Sequence, residues 1–220
     1  MKNLCKNAIV FILSITLLSV ESYAGNKDRA GQAGASELLI NPFARSTGWG
    51  GANTATVQGL EAMYLNVAGI AFTNQTELVL ARTEWLQGSG VSINTFGLTQ
   101  KVGDAGVIGL CVTSMALGEV EITTVDLPEG GSGYYKPSLM NVAVSYAQAF
   151  SNSIYGGITL RIITERIANI SAQGVAIDAG IQYVTGDLEN IHFGITLKNV
   201  GPTMRFDLSL IHISEPTRPY

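Results

Sequence analysis

The chain has 220 residues, of which 46% are hydrophobic and only 14% are charged. Soluble domains average about 25% charged residues, so this chain is poor in charge, yet it is too apolar to be disordered. Its formal net charge of -4 comes from scattered residues, and the sequence has no basic stripe that could neutralise a run of phosphates. The composition therefore argues against a nucleic-acid-binding protein.

The N-terminus has the pattern of a secretory signal peptide. Lys2 and Lys6 form a short basic region, an apolar run extends from Ala8 to Val20, and a small-x-small cleavage site ends at Ala24. The alternative, an uncleaved anchor, is disfavoured because a spanning helix needs about 20 apolar residues. We therefore predict that residues 1–24 are removed on export.

Cysteine usage agrees with export without a disulfide framework. Cys5 lies in the basic region, well before the cleavage point, so it is not the acylated cysteine of a lipoprotein. Cleavage would leave Cys111 alone, and a single thiol cannot form an intrachain disulfide. We expect Cys111 to be an inward-facing small apolar residue.

The C-terminus, residues 208–220, resembles the conceptual translation of a transposase sequencing adapter. We expect this tail to be non-native and the natural sequence to be interrupted after Asp207. The alternative is a genuine amphipathic strand followed by a Pro-rich tail.

Downstream of Asn74 the sequence repeats one unit, about ten residues of alternating character followed by a turn rich in Gly, Asn or Asp. In the clearest case Val175, Ile177 and Ile181 oppose Asp178 and Gln182. A long acidic loop is predicted over 118–137, with a short strand at 120–125, and long loops at one end with tight turns at the other are expected. Strands are predicted over 76–86, 90–101, 105–116, 138–150, 154–165, 172–185 and 190–200.

An alternating strand can bury its apolar face in a protein core or in lipid. Three observations favour lipid. The predicted strands are long enough to cross the thickness of a bilayer, charged residues are scarce, and the exported part has no apolar helix long enough to span a membrane. The competing interpretation is a soluble exported β-sandwich or lipocalin-like barrel. The lipid interpretation places five polar residues on a narrow lumen: Arg161, Glu165, Asp178, Gln182 and Lys198. Aromatic residues at strand ends would then form interfacial girdles: Trp85, Tyr146, Phe150, Tyr155 and Tyr183.

Two segments carry a family resemblance. The stretch SELLINPFARSTGWGGAN from Ser36 to Asn53, followed by GLEAMYLNVAGI from Gly59 to Ile70, resembles the N-terminal signature of the PorV/PorQ family of outer-membrane proteins, within the FadL-like superfamily. Trp49 stands where the family usually has Met, and Val67 where it has Pro. The signature covers a small part of the chain. The later strands agree with the family only in their general alternation of apolar and polar residues.

The resemblance implies an all-β fold, an antiparallel transmembrane β-barrel of FadL-like type with about 14 strands and an N-terminal plug. Residues 25–72 would form the lead and plug, and residues 73–207 a partial barrel of about seven or eight strands. It also implies residence in the outer membrane of a Bacteroidetes-type bacterium, with membrane lipid, type IX translocon components and cargo C-terminal signal domains as partners. The alternative function within the superfamily is a passive channel for hydrophobic compounds, with a hydrophobic ligand.

Within the plug, the motif residues expected to matter are Arg45, Gly48, Gly50, Gly51, Asn66 and Gly69. The first three glycines allow positive φ and close approach to a barrel wall. Arg45 could reach Asp178 or Glu165, and Asn66 could cap a short helix. The plain alternative for all six is structural packing.

No catalytic constellation is evident. His192 is the only histidine outside the adapter-like tail, no G-x-S-x-G motif lies near it, and no zinc, P-loop or EF-hand pattern occurs. A Glu165–Asp178 acid/base pair is conceivable, but carboxylates opposite Arg161 more often form a salt-bridge network. We therefore expect no enzyme activity, no cofactor and no metal.

Overall fold

The computed structural model describes residues 32–125 and 127–206. The predicted signal peptide at 1–24 and the adapter-like tail at 208–220 lie outside the described residues. The described chain begins with short helical turns and continues as antiparallel β-structure. The helical elements are a 3-10 helix at Ser36–Leu39, α1 at Ala44–Gly48, α2 at Ala62–Leu65 and a second 3-10 helix at Val67–Phe72. The strands are β1 Gln32–Ala33, β2 Thr76–Trp85, β3 Val91–Val102, β4 Gly106–Ala116, β5 Val120–Glu121, β6 Tyr134–Tyr135, β7 Ser138–Ala149, β8 Ile154–Ile167, β9 Ile170–Thr185, β10 Ile191–Val200 and β11 Met204–Phe206.

The main sheet is antiparallel throughout, in the order β1-β11-β9-β8-β7-β4-β3-β2, with β10 also paired to β9. β5 and β6 form a separate two-stranded sheet within the predicted acidic loop. The all-β prediction is confirmed, and each long predicted strand is present within a few residues of its expected bounds. Alternation of apolar and polar side chains specified these strands because the side-chain period of two matches their pleat.

β10 and β11 act as one interrupted strand. Val200 pairs with Ile177, and after residues 201–203 Arg205 pairs with Gln173 farther along the same edge of β9. β1 pairs with the free edge of β11, Gln32 opposite Arg205. Among the described residues β2 pairs only with β3, so the sheet is open and no closed barrel is seen.

Strands β8 and β9 are longer than expected, with 14 and 16 residues. Ladder pairing continues to Ile167 opposite Ile170, and the turn between them contains Ala168 at φ +50°. A positive φ is typical of the two-residue turns whose twist matches the flanking strands.

The two ends of the sheet differ less than expected. One end, called the loop end, carries segments 86–90, 117–137 and 168–169; the other, the turn end, carries 103–105, 150–153 and 186–190. The long-loop asymmetry rests on segment 117–137 alone, because the β8–β9 connection at the same end is a tight turn. The expectation of several long loops at one end is therefore wrong for the described strands.

One face of the sheet, the outer face, exposes rows of large apolar side chains. Each row consists of residues that pair directly with one another on neighbouring strands, from β2 to β9. Successive rows are two residues apart along each strand. A polar row borders them toward the loop end. The first apolar row is Leu80, Phe96, Val112, Val142, Ile162 and Val175, and the second is Leu78, Leu98, Leu110, Val144, Leu160 and Ile177. The polar row, which Met140 interrupts, is Arg82, Asn94, Ser114, Met140, Thr164 and Gln173.

The opposite, inner face is covered by residues 34–73, which nearly coincide with the predicted plug and are named the plug after that prediction. Leu60, Met63 and Ile70 from the plug are buried against Val107 and Cys111 of β4. The inward, buried position of Cys111 is confirmed. A smaller cluster joins Leu38 and Met204 to the inner face of β8 and β9 near the loop end. No helix among the described residues combines the length and apolar character needed to cross a membrane.

Candidate functional site: the interface between plug and sheet

The centre of the interface is a buried ion pair between β8 and β9. Arg161 Nε donates to Asp178 Oδ2 at 2.7 Å, and both side chains are almost fully buried. Arg161 Nη2 also donates to the backbone oxygen of Met63 in the plug. Nε and Nη2 are therefore paired, whereas Arg161 Nη1 is buried without a hydrogen-bond partner. Buried charges are costly, so the fixed partners of Arg161 offset only part of the cost of burying it.

Tyr64 lies directly on this pair. The Arg161 guanidinium stands 5.1 Å from the centre of the Tyr64 ring, a cation–π arrangement, and Phe43 packs edge-on against the same ring. The Tyr64 hydroxyl is hydrogen-bonded to Thr113 Oγ1 of β4. Burial raises the pKa of Tyr64 to about 12, so the phenol remains neutral and keeps this bond.

Asp178 has a second partner on the neighbouring strand. Its Oδ1 accepts a hydrogen bond from the backbone N–H of Asn199 at 2.6 Å. Asn199 adopts φ +56°, and the register between β9 and β10 shifts between Leu197 and Val200. The carboxylate thus receives a backbone donor that the irregular β10 ladder leaves free.

Asn66 links the plug to two strands. Its Oδ1 accepts from the backbone N–H of Ala68 and caps the 3-10 helix Val67–Phe72, as predicted. Its Nδ2 lies 3.1 Å from Thr54 O, 3.0 Å from Ile181 O and 3.5 Å from Ile195 O. Asn66 is fully buried, so these contacts replace water for the amide.

Gln182 and Glu77 hold the plug backbone from two sides. Gln182 Nε2 donates to Thr54 O at 3.2 Å and to Val57 O at 2.9 Å. Glu77 on β2 accepts from the backbone N–H of Leu60 at 3.0 Å. The sequence does not single out Glu77, because an acidic residue at the start of an alternating strand gives no signal of its partner.

The close approach between plug and sheet depends on strand glycines. A Cβ at Gly194 would lie 2.6 Å from the Ala55 Cα, and one at Gly180 would collide with the Asn66 amide. Gly97 is likewise packed against Leu60. Glycines on the inward positions of a strand often mark a place where another backbone approaches, and this was the sequence signal available for the interface.

The predicted plug glycines behave differently. Gly50 and Gly51 adopt φ +62° and +74°, whereas Gly48 does not have positive φ. The expected approach to the wall by Gly48, Gly50 and Gly51 is wrong, since a Cβ at the first two meets no atom within 4 Å and at Gly51 only Leu65. Gly69 does require glycine, because a Cβ there would collide with the backbone of Val57 inside the plug.

The expectation that Arg45 pairs with Asp178 or Glu165 is also wrong. Arg45 lies in α1 and is exposed, and its backbone oxygen accepts the N–H of Trp49. Arg161 occupies the position beside Asp178 instead, because it stands on the strand next to β9 with its side chain on the inner face.

All five predicted lumen-facing polar residues point to the inner face. Four are buried beneath the plug instead of lining open space: Arg161, Glu165, Asp178 and Gln182. Lys198 on β10 is half-buried. Among the predicted girdle residues, Trp85 and Tyr155 also face inward, and the Tyr155 ring packs against Phe72. Tyr146, Phe150 and Tyr183 are exposed on the outer side near the turn end.

Two carboxylates meet near the loop end. Glu37 of the helix Ser36–Leu39 lies beside Glu165 of β8, and burial raises the pKa of Glu37 above its usual value. Glu37 also lines a cavity of about 20 Å³ with Asn141 of β7, Tyr64 and Thr113. Glu37 Oε1 and Asn141 Oδ1 are buried without a hydrogen-bond partner.

The acidic loop is partly ordered by its own contacts. The short strand predicted at 120–125 is confirmed only over Val120–Glu121, which pair with Tyr134–Tyr135. Lys136 Nζ lies 2.8 Å from Glu119 Oε1, and that hydrogen bond raises the pKa of Lys136. Val125 and Leu127 at the tip of the loop are exposed.

Comparisons with known proteins add no family assignment. No protein-family model matches this chain, and no curated protein is significantly similar to it in sequence. Within residues 32–125 and 127–206 no group of three or more His, Cys, Asp or Glu side chains could hold a metal ion.

Proposed function

We propose that this chain is part of an outer-membrane β-barrel whose outer face contacts lipid and whose inner face carries a fixed plug. The observation that supports this most strongly is the pair of apolar rows that cross the outer face. Leu80 is 74% exposed, Leu160 51% and Ile177 54%. Monomeric soluble proteins rarely expose contiguous apolar patches of more than a few hundred Å², so the interpretation as a soluble exported protein has little support.

The polar border of these rows supports the same proposal. Arg82, Asn94 and Thr164 lie in one row toward the loop end, and the exposed aromatics Tyr146, Phe150 and Tyr183 lie near the turn end. An apolar band between polar and aromatic margins is the pattern of a lipid-facing barrel surface. An open sheet edge is not stable in hydrocarbon, so the proposal requires further strands or another chain to complete the wall.

The plug contacts support a role in protein association more than one in conduction. Hydrogen bonds of three side chains attach the plug to β8, β9 and β10: those of Arg161, Asn66 and Gln182. The plug backbone at Ala55 also packs directly against the β10 backbone at Gly194. A plug attached through buried polar groups moves only if all of them are released together. The passive channel for hydrophobic compounds is therefore the less favoured candidate.

The proposed activity is type IX secretion, with the loop 117–137 as the surface that contacts translocon components or cargo C-terminal signal domains. This part of the proposal comes from the resemblance to the PorV/PorQ family. Glu119, Glu121 and Glu129 are exposed in this loop. Glu119 already pairs with Lys136, so Glu121 and Glu129 would supply most of an acidic surface for a basic partner. Neither catalysis nor a cofactor is part of the proposed role.

Lipid contact is tested by a charge placed in the second apolar row. Leu160→Arg should prevent stable insertion, because Arg near the midplane of a barrel wall costs about 2–4 kcal/mol. Leu127→Arg, in the exposed loop, is the matched control and should insert normally. The measurement is retention of each variant in carbonate-washed envelopes. The comparison is made with the wall completed by further strands or by another chain, because the open sheet alone is not expected to stay in the bilayer. Under those conditions, equal retention of Leu160→Arg and Leu127→Arg, or release of the wild-type protein by the wash, would contradict the proposal.

The secretion role is tested separately by co-purification in mild detergent. We expect the wild-type chain to retain translocon components or a cargo signal domain, and the triple variant Glu119→Gln, Glu121→Gln, Glu129→Gln to lose them while still inserting. Insertion without any such partner would leave the membrane assignment intact and refute the role in secretion.

A further inference from the structure

Two arginines of the outer face lie at the loop-end border of the apolar rows. Arg205 of β11 pairs with Gln173, a member of the polar row. Arg166 of β8 pairs with Ser171, one row farther toward the loop end. Residues that pair directly across a ladder point to the same face, and both arginines are exposed. Two cationic side chains therefore project outward from neighbouring rows.

Neither of these guanidinium groups is neutralised by a carboxylate in the described part of the chain. The ion pairs within residues 32–125 and 127–206 use other cations: Arg82, Lys136 and Arg161. The described outer-face positions of β8, β9 and β11 hold no Asp or Glu. Glu165 precedes Arg166 in the sequence, but it is buried on the inner face. The two charges are thus available to an anion outside the sheet.

The side chains between the two arginines are hydrogen-bond donors as well. Thr164 of β8 pairs with Gln173 of β9, and Ser171 lies two residues from Gln173 on the same strand. Two strand spacings and two residue steps separate Arg166 from Arg205, which places their Cα atoms about 12 Å apart. Both long side chains can therefore reach one group placed above Gln173. Guanidinium, amide and hydroxyl donors together suit the oxygens of a phosphate.

The surroundings of this donor patch favour a lipid phosphate over a free anion. The adjacent row toward the turn end is apolar, and its members Ile162 and Val175 are 52% and 48% exposed. A lipid whose phosphate lay over the arginines would place its acyl chains along that row. Polar donors directly beyond an apolar band lie at the level of the headgroups when the band is in hydrocarbon.

We propose that Arg166 and Arg205 bind the phosphate group of an anionic membrane lipid. This inference rests on the proposed contact between the outer face and lipid, and it specifies which lipid that face selects. The long loop 117–137 lies at the same end of the sheet, and the longer loops of bacterial outer-membrane barrels are extracellular. The lipid would therefore belong to the outer leaflet.

The test is lipid competition in mixed micelles. The detergent-purified full chain is incubated at low ionic strength with equal amounts of phosphatidic acid and phosphatidylcholine of identical acyl chains, and the lipids that co-purify are measured. We expect wild type to prefer phosphatidic acid by about 25-fold, since one basic residue near an anionic surface contributes about fivefold. Arg166→Gln and Arg205→Gln should each lower the preference about fivefold, and the double variant should abolish it.

Two further variants serve as controls. Arg45→Gln removes the same charge from the exposed helix α1 of the plug and should leave the preference unchanged. Asp207→Asn removes the acidic residue that follows Arg205 in the sequence, and it should retain at least the wild-type preference because no carboxylate is part of the site.

Several results would overturn the arginine site. They are equal retention of the two lipids by wild type, the same loss in Arg45→Gln as in the double variant, loss of the preference in Asp207→Asn, and displacement of phosphatidic acid by an equal concentration of inorganic phosphate. A wild-type protein that stays in washed envelopes but shows no preference refutes this site and leaves the lipid-facing wall intact. Release of the wild-type protein by the wash refutes both.

Discussion

The side-chain amide of Asn66 lies 3.0 Å from the backbone oxygen of Ile181, joining the plug to a strand that is remote in sequence. The same amide reaches Thr54 O within the plug and Ile195 O on the neighbouring strand. One short side chain therefore fixes the plug against β9 and β10 at once. Its position explains why Gly180, directly beside it, has no side chain.

Replacing this amide by a carboxylate removes the donor and leaves the acceptor. We expect Asn66→Asp to destabilise the folded chain, because a carboxylate would face several backbone oxygens and each buried unsatisfied group costs about 1–3 kcal/mol. Chemical denaturation in detergent, followed by tryptophan fluorescence, measures the change. Asn152→Asp, in the exposed turn 150–153, is the control and should unfold like wild type; equal midpoints for the two variants would refute the role of Asn66.

Adding one methyl group at the interface should separate plug and sheet. Gly194→Ala places a Cβ against the backbone of Ala55, which cannot rotate away, so we expect a loss of about 1–3 kcal/mol. Gly48→Ala is the matched control, since a Cβ there meets nothing within 4 Å and a helical Ala is favoured over Gly. Limited proteolysis of the plug reports the separation. If the plug resists proteolysis equally well in Gly194→Ala and Gly48→Ala, the close packing at Gly194 is contradicted.

The Arg161–Asp178 pair should be more sensitive to the loss of one partner than to the loss of both. Asp178→Asn leaves a buried guanidinium without its counter-charge and should cost about 3–5 kcal/mol. The double variant Arg161→Met, Asp178→Leu should recover much of that loss, because no unpaired charge remains. Unfolding midpoints of wild type, Arg161→Met, Asp178→Leu and the double variant form the cycle, and Asp178→Asn is the isosteric single variant measured beside them. Strictly additive losses would indicate that the two residues do not act as a pair.

The raised pKa of Glu37 predicts a pH dependence of folding stability. Its folded pKa is raised above 4.5, so the folded state favours the protonated form, and this contribution to stability is lost as pH rises through the folded pKa. Glu37→Gln mimics the protonated carboxyl. The variant should melt above wild type at neutral pH, and this difference in melting temperature should close as pH falls toward 4.5. A difference in melting temperature that grows as the pH falls would contradict this prediction.

The strands and their faces were predictable because they depend on local periodicity. Ile158, Leu160 and Ile162 alternate with Thr159 and Arg161 in the sequence, and the pleat turns that alternation into two faces. The same logic identified Cys111 and Gln182 as inward-facing. The cap by Asn66 was predictable as well, since it involves a neighbour two residues away.

The partners across the interface were not predictable, because each joins residues far apart in the chain. Arg45 and Arg161 are equally plausible partners of Asp178 by charge, and only the pairing of β8 with β9 places Arg161 beside it. Likewise, no local rule connects Glu37 with Glu165 or Asn141.

The sequence by itself determined which side chains share a face, where each strand turns and how little charge the chain carries, since these properties depend on spacing and composition. Only the tertiary structure decided that the inward polar groups are buried beneath the plug and which backbone atoms they contact. The physical reason is that a buried polar side chain is satisfied by whichever group the packing brings within about 3 Å, and the packing is a property of the whole sheet.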